Sequence, residues 1–364
     1  MALIKPVVGK KSKENAALAE KLLFGFTGNV VVDMGIALYQ LTKLLTPKDF
    51  EDLSQLSARI KNRDMPGEFL TSWDDFMATY EARGPLEMDQ ASPRYGDDPM
   101  LALRQMSFMI GDNNSFNPEL AHQRQVKERQ EAFQQLMTRL GWFERRLLGR
   151  AHRIIELFAG VRDTPKHQAV LFNYAMRKRA LIEGEELQKT GRLDCAEQIF
   201  ELTLSDIEKA KEQPLLDLNL LREKHTQFLK LLKYQVTEFP QIIDSRGRIL
   251  RPAPKKEKPN EICGMPVSPC VVNGRVKVLR TPHEKTIDEG DILVAYTTDP
   301  GWTPLFVNAA AIVLEVGGVL QHGAVVAREY GKPCVVGVDR VVTKLQDGQQ
   351  VEVDGFTGVI RLLS

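Results

Sequence analysis

Gly317-Gly318-Val319-Leu320-Gln321-His322-Gly323-Ala324-Val325-Val326-Ala327-Arg328-Glu329-Tyr330-Gly331 is the stretch on which the reading of this chain turns. The β-forming run Ala311-Ile312-Val313-Leu314-Glu315 leads into paired glycines, a histidine, and helix formers that stop at a glycine. Gly317, Gly318 and Gly323 permit a tight turn and close backbone approach by a ligand, which makes them candidates for a phosphate cradle. His322 falls near a helix N-terminus, where unpaired N–H groups and the helix dipole favour an anion. An imidazole there can carry a phosphoryl group. A histidine after such a turn is also often a cap or a packed side chain, so the residues alone leave both readings open.

The run GGVLQHGAVVAREYGKPCVVG, residues 317–337, resembles the phosphohistidine signature of the swivelling domain in the PEP-utilising enzyme family. That resemblance implies a phosphohistidine at His322, loaded from ATP with Mg²⁺ by an ATP-grasp domain and unloaded onto a small organic acceptor. Arg328 would either neutralise the phosphohistidine or anchor its helix. Phosphoenolpyruvate synthases and dikinases usually place a hydroxyl residue two positions before the histidine, and Leu320 stands there instead. The chain therefore looks closer to rifampicin phosphotransferases and to ATP-dependent condensing ligases of pigment biosynthesis. No TIM-barrel pattern for pyruvate is present. Nothing before Asn15 supplies an ATP-grasp domain, so the expectation is that ATP and Mg²⁺ arrive through a domain or subunit outside this sequence.

Outward from the histidine, Asp299-Pro300-Gly301-Trp302-Thr303-Pro304 resembles the Thr-Asp-Pro-x-Trp-x-Pro run of the same domain. Trp302 reads equally as core or as a wall beside the histidine, and Thr303-Pro304 as the cap of a short helix through Ala310. Gly274 to Leu279 alternates with period two, and Asp291 to Tyr296 is a β run. Asp347-Gly348 and Asp354-Gly355 predict hairpin turns between strands at Val341–Leu345, Gln350–Val353 and Val359–Leu362. Residues 261–364 thus read as a swivelling β/β/α phosphohistidine domain. Residues 251–260, with three prolines and five charged residues, cannot pack and read as a hinge linker, able to reach on the order of 30 Å at ~3.1 Å per residue.

Residues 1–250 read as a helical acceptor-side (middle) domain, making the fold class multidomain α and α/β. Ala16, Ala19, Leu22 and Leu23 share a helical face, as do Met34, Leu38, Leu41 and Leu45. Pro66 to Ala82 is a further helix. Leu147, Leu148, Ala151, Ile154, Ile155 and Phe158 form an i, i+3/i+4 stripe beside His152, and Ser205 to Glu208 predicts a capping box. His152 and His225 read as packing histidines. Between the helices, the loop 80–95 crowds arginines and carboxylates and resembles the Tyr-Gly-x-Arg-Gly-x-x-Glu-x-Asp-x-x-x-Pro-Arg stretch of antibiotic-phosphotransferase-like relatives. By that resemblance Arg83 and Arg94 would clamp phosphoryl oxygens, and Glu87 or Asp89 would take the acceptor's proton. Many relatives have histidine where Ala82 stands. The plain alternative is a solvated loop with surface ion pairs.

Composition bounds the rest. Lys+Arg 49 against Asp+Glu 48 gives no global field directed at nucleic acid or an anionic membrane. Cys195, Cys263, Cys270 and Cys334 lack metal-ligand spacing, no metal site is expected, and no apolar run is long enough to span a bilayer. A cytoplasmic setting follows as the default. The function expected is phosphoryl transfer through His322. The alternatives are a non-catalytic partner-binding or regulatory remnant, or part of a pigment-forming ligase.

Overall fold

The computed structural model describes residues 13–110, 117–235, 243–248, 259–282, 284–319 and 321–363. Most of the expected hinge (251–258) and Leu320 lie outside the described residues. Among the described residues ten α-helices precede the expected hinge: α1 Lys13–Lys21, α2 Val30–Lys43, α3 Leu53–Lys61, α4 Gly67–Tyr80, α5 Met100–Phe108, α6 Pro118–Arg139, α7 Trp142–Ala159, α8 Thr164–Lys189, α9 Leu204–Glu212 and α10 Leu218–Gln235. Their starts are written locally. The Asn29 side chain accepts from the Val31 and Val32 amides at 3.0 and 3.4 Å, and Asn117 caps α6 ahead of Pro118. The expected capping box at Ser205 is displaced. Thr203 is the N-cap of α9, exchanging hydrogen bonds with Asp206, because the spacing Thr-x-x-Asp begins two residues earlier.

After the hinge the order is β1 Glu261–Cys263, β2 Met265–Ser268, β3 Val271–Leu279, β4 Asp291–Ala295, α11 Leu305–Asn308, β5 Ala311–Leu314, α12 His322–Glu329, β6 Cys334–Val336, α13 Val341–Lys344, β7 Gln350–Asp354 and β8 Val359–Leu362. These strands form one mixed sheet ordered β1-β8-β7-β3-β4-β5-β6-β2. Strands β3 to β6 run parallel, and β4 and β5 are buried along their whole length, as continuous apolar runs covered on both faces should be. The helical region followed by this sheet matches the sequence expectation. Residues 341–344 depart from it: they form a helical turn, not a strand, with Val341 buried against the sheet. Burial there overrides the β preference of Val-Val-Thr.

The chain divides into two compact units. One comprises residues 1–85, 95–167 and 256–364; the other comprises residues 86–94 and 168–255. In the first unit a single core joins Met34, Leu38, Trp73 and Met106 of the helices to Trp302, Phe306, Leu314, Ala324 and Tyr330 of the sheet part. A second layer, including Val276, Val294, Val313 and Val353, fills the opposite face of the sheet. The other unit packs around Leu193, Ile199, Ala210 and Leu218, with the Arg192 guanidinium donating to the Ala210, Gln213 and Leu216 carbonyls.

Candidate functional site

His322 is the first residue of α12, directly after β5 and the Gly317–Gln321 turn. Its N-cap, Gln321, makes no side-chain cap hydrogen bond; the carboxamide instead donates to Thr297 Oγ1 at 3.1 Å. The first amides of α12 thus lack a side-chain cap at the end where an anion is favoured. The imidazole is half-buried. Its Nε2 lies 3.2 Å from Thr303 Oγ1, and the Phe306 ring stands beside it at 6.4 Å between centroids. If the hydroxyl donates, the ring proton is fixed on Nδ1; if it accepts, the proton is on Nε2. In the neutral ring only the second arrangement leaves a lone pair outside this contact, on Nδ1, for a phosphorus atom.

Two glycines of the turn are there for space. A Cβ on Gly323 would fall 2.5 Å from Thr298 Oγ1 and 2.7 Å from Leu314 Cδ1, and one on Gly317 would fall 2.7 Å from Val336 Cβ. Gly318 faces open space. The Thr298 hydroxyl pressed against Gly323 is buried and has no hydrogen-bond partner among the described residues. Such an orphan beside a helix N-terminus is a donor waiting for an acceptor. Neither Thr298 nor the link between Thr303 and His322 was visible in the sequence. Thr303 was expected to cap a helix through Ala310, but the helix is only Leu305–Asn308 and its cap position is Pro304. Trp302 resolves to core, and Phe306 is the aromatic beside the imidazole.

Arg328 sits two turns along α12, and its guanidinium donates to the Val319 carbonyl, tying the helix back to the glycine turn. Glu329 is buried, accepting from the Gly25 amide at 3.1 Å and facing His122 Nδ1 at 3.4 Å. Gln105, equally buried, accepts from the Tyr95 hydroxyl at 2.7 Å and donates to the Gly301 carbonyl at 3.3 Å. The helices therefore reach the segment that carries Thr303. Burial pushes the Cys334 thiol on β6 up to about 12, so it stays a protonated core side chain.

The acceptor-side candidates fall into both units. In the first, Arg83 is buried, and its backbone bonds Tyr80 and Tyr95. Burial and then the Arg83 charge hold His167 below its ordinary value, and His167 Nδ1 has no hydrogen-bond partner among the described residues. That imidazole comes from α8, far along the chain, and no local motif announced it. In the second unit, the buried Arg94 donates to the carbonyls of Glu87, Asp89 and Ser92 at 2.9, 2.8 and 2.5 Å, holding its own loop in shape. Glu87 is buried, with its carbonyl also taking a 3.1 Å bond from Asn173, whereas Asp89 keeps an exposed carboxylate. His152 is buried and stacks on Phe133, as expected of a packing histidine, whereas His225 is partly exposed with Nε2 3.0 Å from the Asp206 carboxylate. Among the described residues no three His, Cys, Asp or Glu side chains converge as a metal-ligand set. No helix is long and apolar enough to cross a membrane among them.

Comparison with known proteins agrees with the geometry. The pattern of the PEP-utilising enzyme mobile domain matches residues 287–358, and that of the rifampicin phosphotransferase fourth domain matches residues 1–163. A rifampicin phosphotransferase of Bacillus subtilis is 30% identical over 92% of this chain and 40% of its own length. One from Streptomyces sviceus is 31% identical over 95% of this chain and 41% of its own. A phosphoenolpyruvate synthase of Aeropyrum pernix is 50% identical over 27% of this chain and 12% of its own. The chain spans about two fifths of the rifampicin phosphotransferases it matches. With a histidine-bearing mobile domain at one end and a rifampicin phosphotransferase domain at the other, the chain belongs to the PEP-utilising enzyme family.

Proposed function

We propose that this chain is the phosphohistidine-carrying part of a phosphotransferase, moving a phosphoryl group from ATP through His322 to a small organic acceptor. The observation that carries the reading is the uncapped start of α12, with His322 held by Thr303 and the orphan hydroxyl of Thr298 beside Gly323. In the loading step the imidazole lone pair forms an N–P bond while the P–O bond to the departing phosphate breaks. In the unloading step the acceptor oxygen attacks phosphorus, its proton passes to a base, and the N–P electrons return to the ring. Asp89, with its exposed carboxylate, and the uncharged His167 are the residues proposed for that base. Thr298 and the first amides of α12 would donate to the phosphoryl oxygens. ATP and Mg²⁺ belong, in this reading, to an ATP-grasp domain on another chain or elsewhere in a longer protein.

The direct test loads the histidine without that domain. Incubation with phosphoramidate, followed by ³¹P NMR, should give an acid-labile phosphohistidine signal that is lost in His322→Ala. With radiolabelled ATP and a separately expressed ATP-grasp domain, the same site should be labelled. A protein that takes no label at His322 from either donor would instead be a partner-binding remnant of such an enzyme.

A further inference from the structure

Away from His322, four arginines cluster on α7. An open pocket of about 650 Å³ is lined by Arg145, Arg146, Arg150 and Arg153, with His152 and Phe133 forming its wall. The volume suits a small ligand. What stands out is the missing counter-charge in a chain whose net formal charge is only +1. Arg145 uses its guanidinium on the Leu140 and Thr138 carbonyls, which are neutral. Arg146, Arg150 and Arg153 have no hydrogen bond or ion pair with any other described residue. Glu156, the one carboxylate in the lining, is already shared between Arg129 and His152, each at 3.4 Å.

Two buried side chains lie beside these arginines. Burial, opposed by the Glu156 carboxylate and reinforced by the smaller influence of Arg129, leaves His152 below its ordinary value, and His152 Nδ1 is buried without a hydrogen-bond partner. Arg129 Nε is buried and unpartnered as well. Positions 146, 150 and 153 follow i, i+4, i+7, so the three guanidinium groups line one helix face with Cβ atoms about 5–6 Å apart. Like charges at that spacing repel, and a compact ligand with several phosphoryl oxygens would turn the repulsion into forked, charge-assisted hydrogen bonds.

We infer that this pocket on α7 binds a di- or triphosphate group, as the free inorganic chain or as part of a nucleotide. The site lies on the helical part of the first unit and does not depend on the carrier reading of His322.

The test is calorimetric titration of the full chain with tripolyphosphate, with ATP and with a poly-glutamate peptide at about physiological ionic strength. The comparison is between Arg150→Gln/Arg153→Gln and a control of equal charge change on exposed lysines, Lys48→Gln/Lys61→Gln. One saturable site is expected, weakened about tenfold or more by the arginine pair and unchanged by the lysine pair. The NMR signal of the His152 ring should move with tripolyphosphate in the wild type. Equal affinity for tripolyphosphate and ATP assigns the site to the phosphate chain, and tighter ATP assigns it to a nucleotide. No saturable binding, equal weakening by both pairs, or tighter binding of poly-glutamate would each overturn the inference.

Discussion

At the scale of single residues, the site proposed around His322 rests on two threonines and a glycine. A buried hydroxyl with no partner costs stability, so Thr298 is expected to be retained for what it touches during loading. Thr298→Val should leave the melting temperature equal or raised while slowing phosphoryl loading of His322 about tenfold to a hundredfold, measured by label incorporation against time. A purely structural threonine would move both together. Gly323→Ala should destabilise by about 1–3 kcal/mol in denaturant titration, since its methyl meets Thr298 and Leu314. Lys332 gives the pH-dependent case. Burial lowers its ammonium to about 8, with Glu289 opposing, so in the folded chain it releases its proton earlier than in the unfolded chain. The unfolded state then binds more protons between about pH 8 and 10.4, and this group's contribution to stability rises with pH across that window. Stability measured across the window should climb less steeply in Lys332→Met.

At the scale of elements, α7 separates what a hydrophobic pattern says from what a fold does with it. Leu147, Leu148, Ala151, Ile154, Ile155 and Phe158 form a helical stripe, yet only Leu148 and Ala151 are buried, while Phe158 is 67% exposed. The pattern identified the helix correctly, but it could not say which part of a wide apolar stripe meets α6 and which meets solvent. Leu148→Ala should therefore cost about 2–5 kcal/mol, and Phe158→Ser should stay within about 0.5 kcal/mol, by chemical denaturation of each. Capping was legible in kind and shifted in place. Thr203 and Asp206, rather than Ser205 and Glu208, open α9, because a cap is decided by which residue leaves the helical backbone and that depends on the preceding turn.

At the scale of the whole molecule, the sheet part and helices α2–α5 share one core, helices α1, α6 and α7 pack around another, and a few buried polar contacts join sheet to helices. Glu329, the last residue of α12, accepts from the Gly25 amide and faces His122. Glu329→Ala would leave the Gly25 N–H unsatisfied and should cost about 1–3 kcal/mol. Hydrogen exchange should show it as faster exchange at Gly25 and along the start of α2, while His322 still accepts a phosphoryl group from phosphoramidate.

The sequence by itself determined the helical region, the mixed sheet, and the Gly-Gly-x-x-x-His-Gly turn that starts α12, because turn glycines, helix formers and β-branched runs act over a few residues. It also nominated His322, whose position on that turn is local. Only the tertiary structure decided that Thr303 stands at the imidazole, that Thr298 lies against the neighbouring Gly323, and that Gln105 and Glu329 join sheet to helices. Likewise, it alone placed His167 beside Arg83 and left the arginines of α7 without carboxylates. Those are contacts between residues distant along the chain, and their partners are chosen by packing, which no short-range preference encodes.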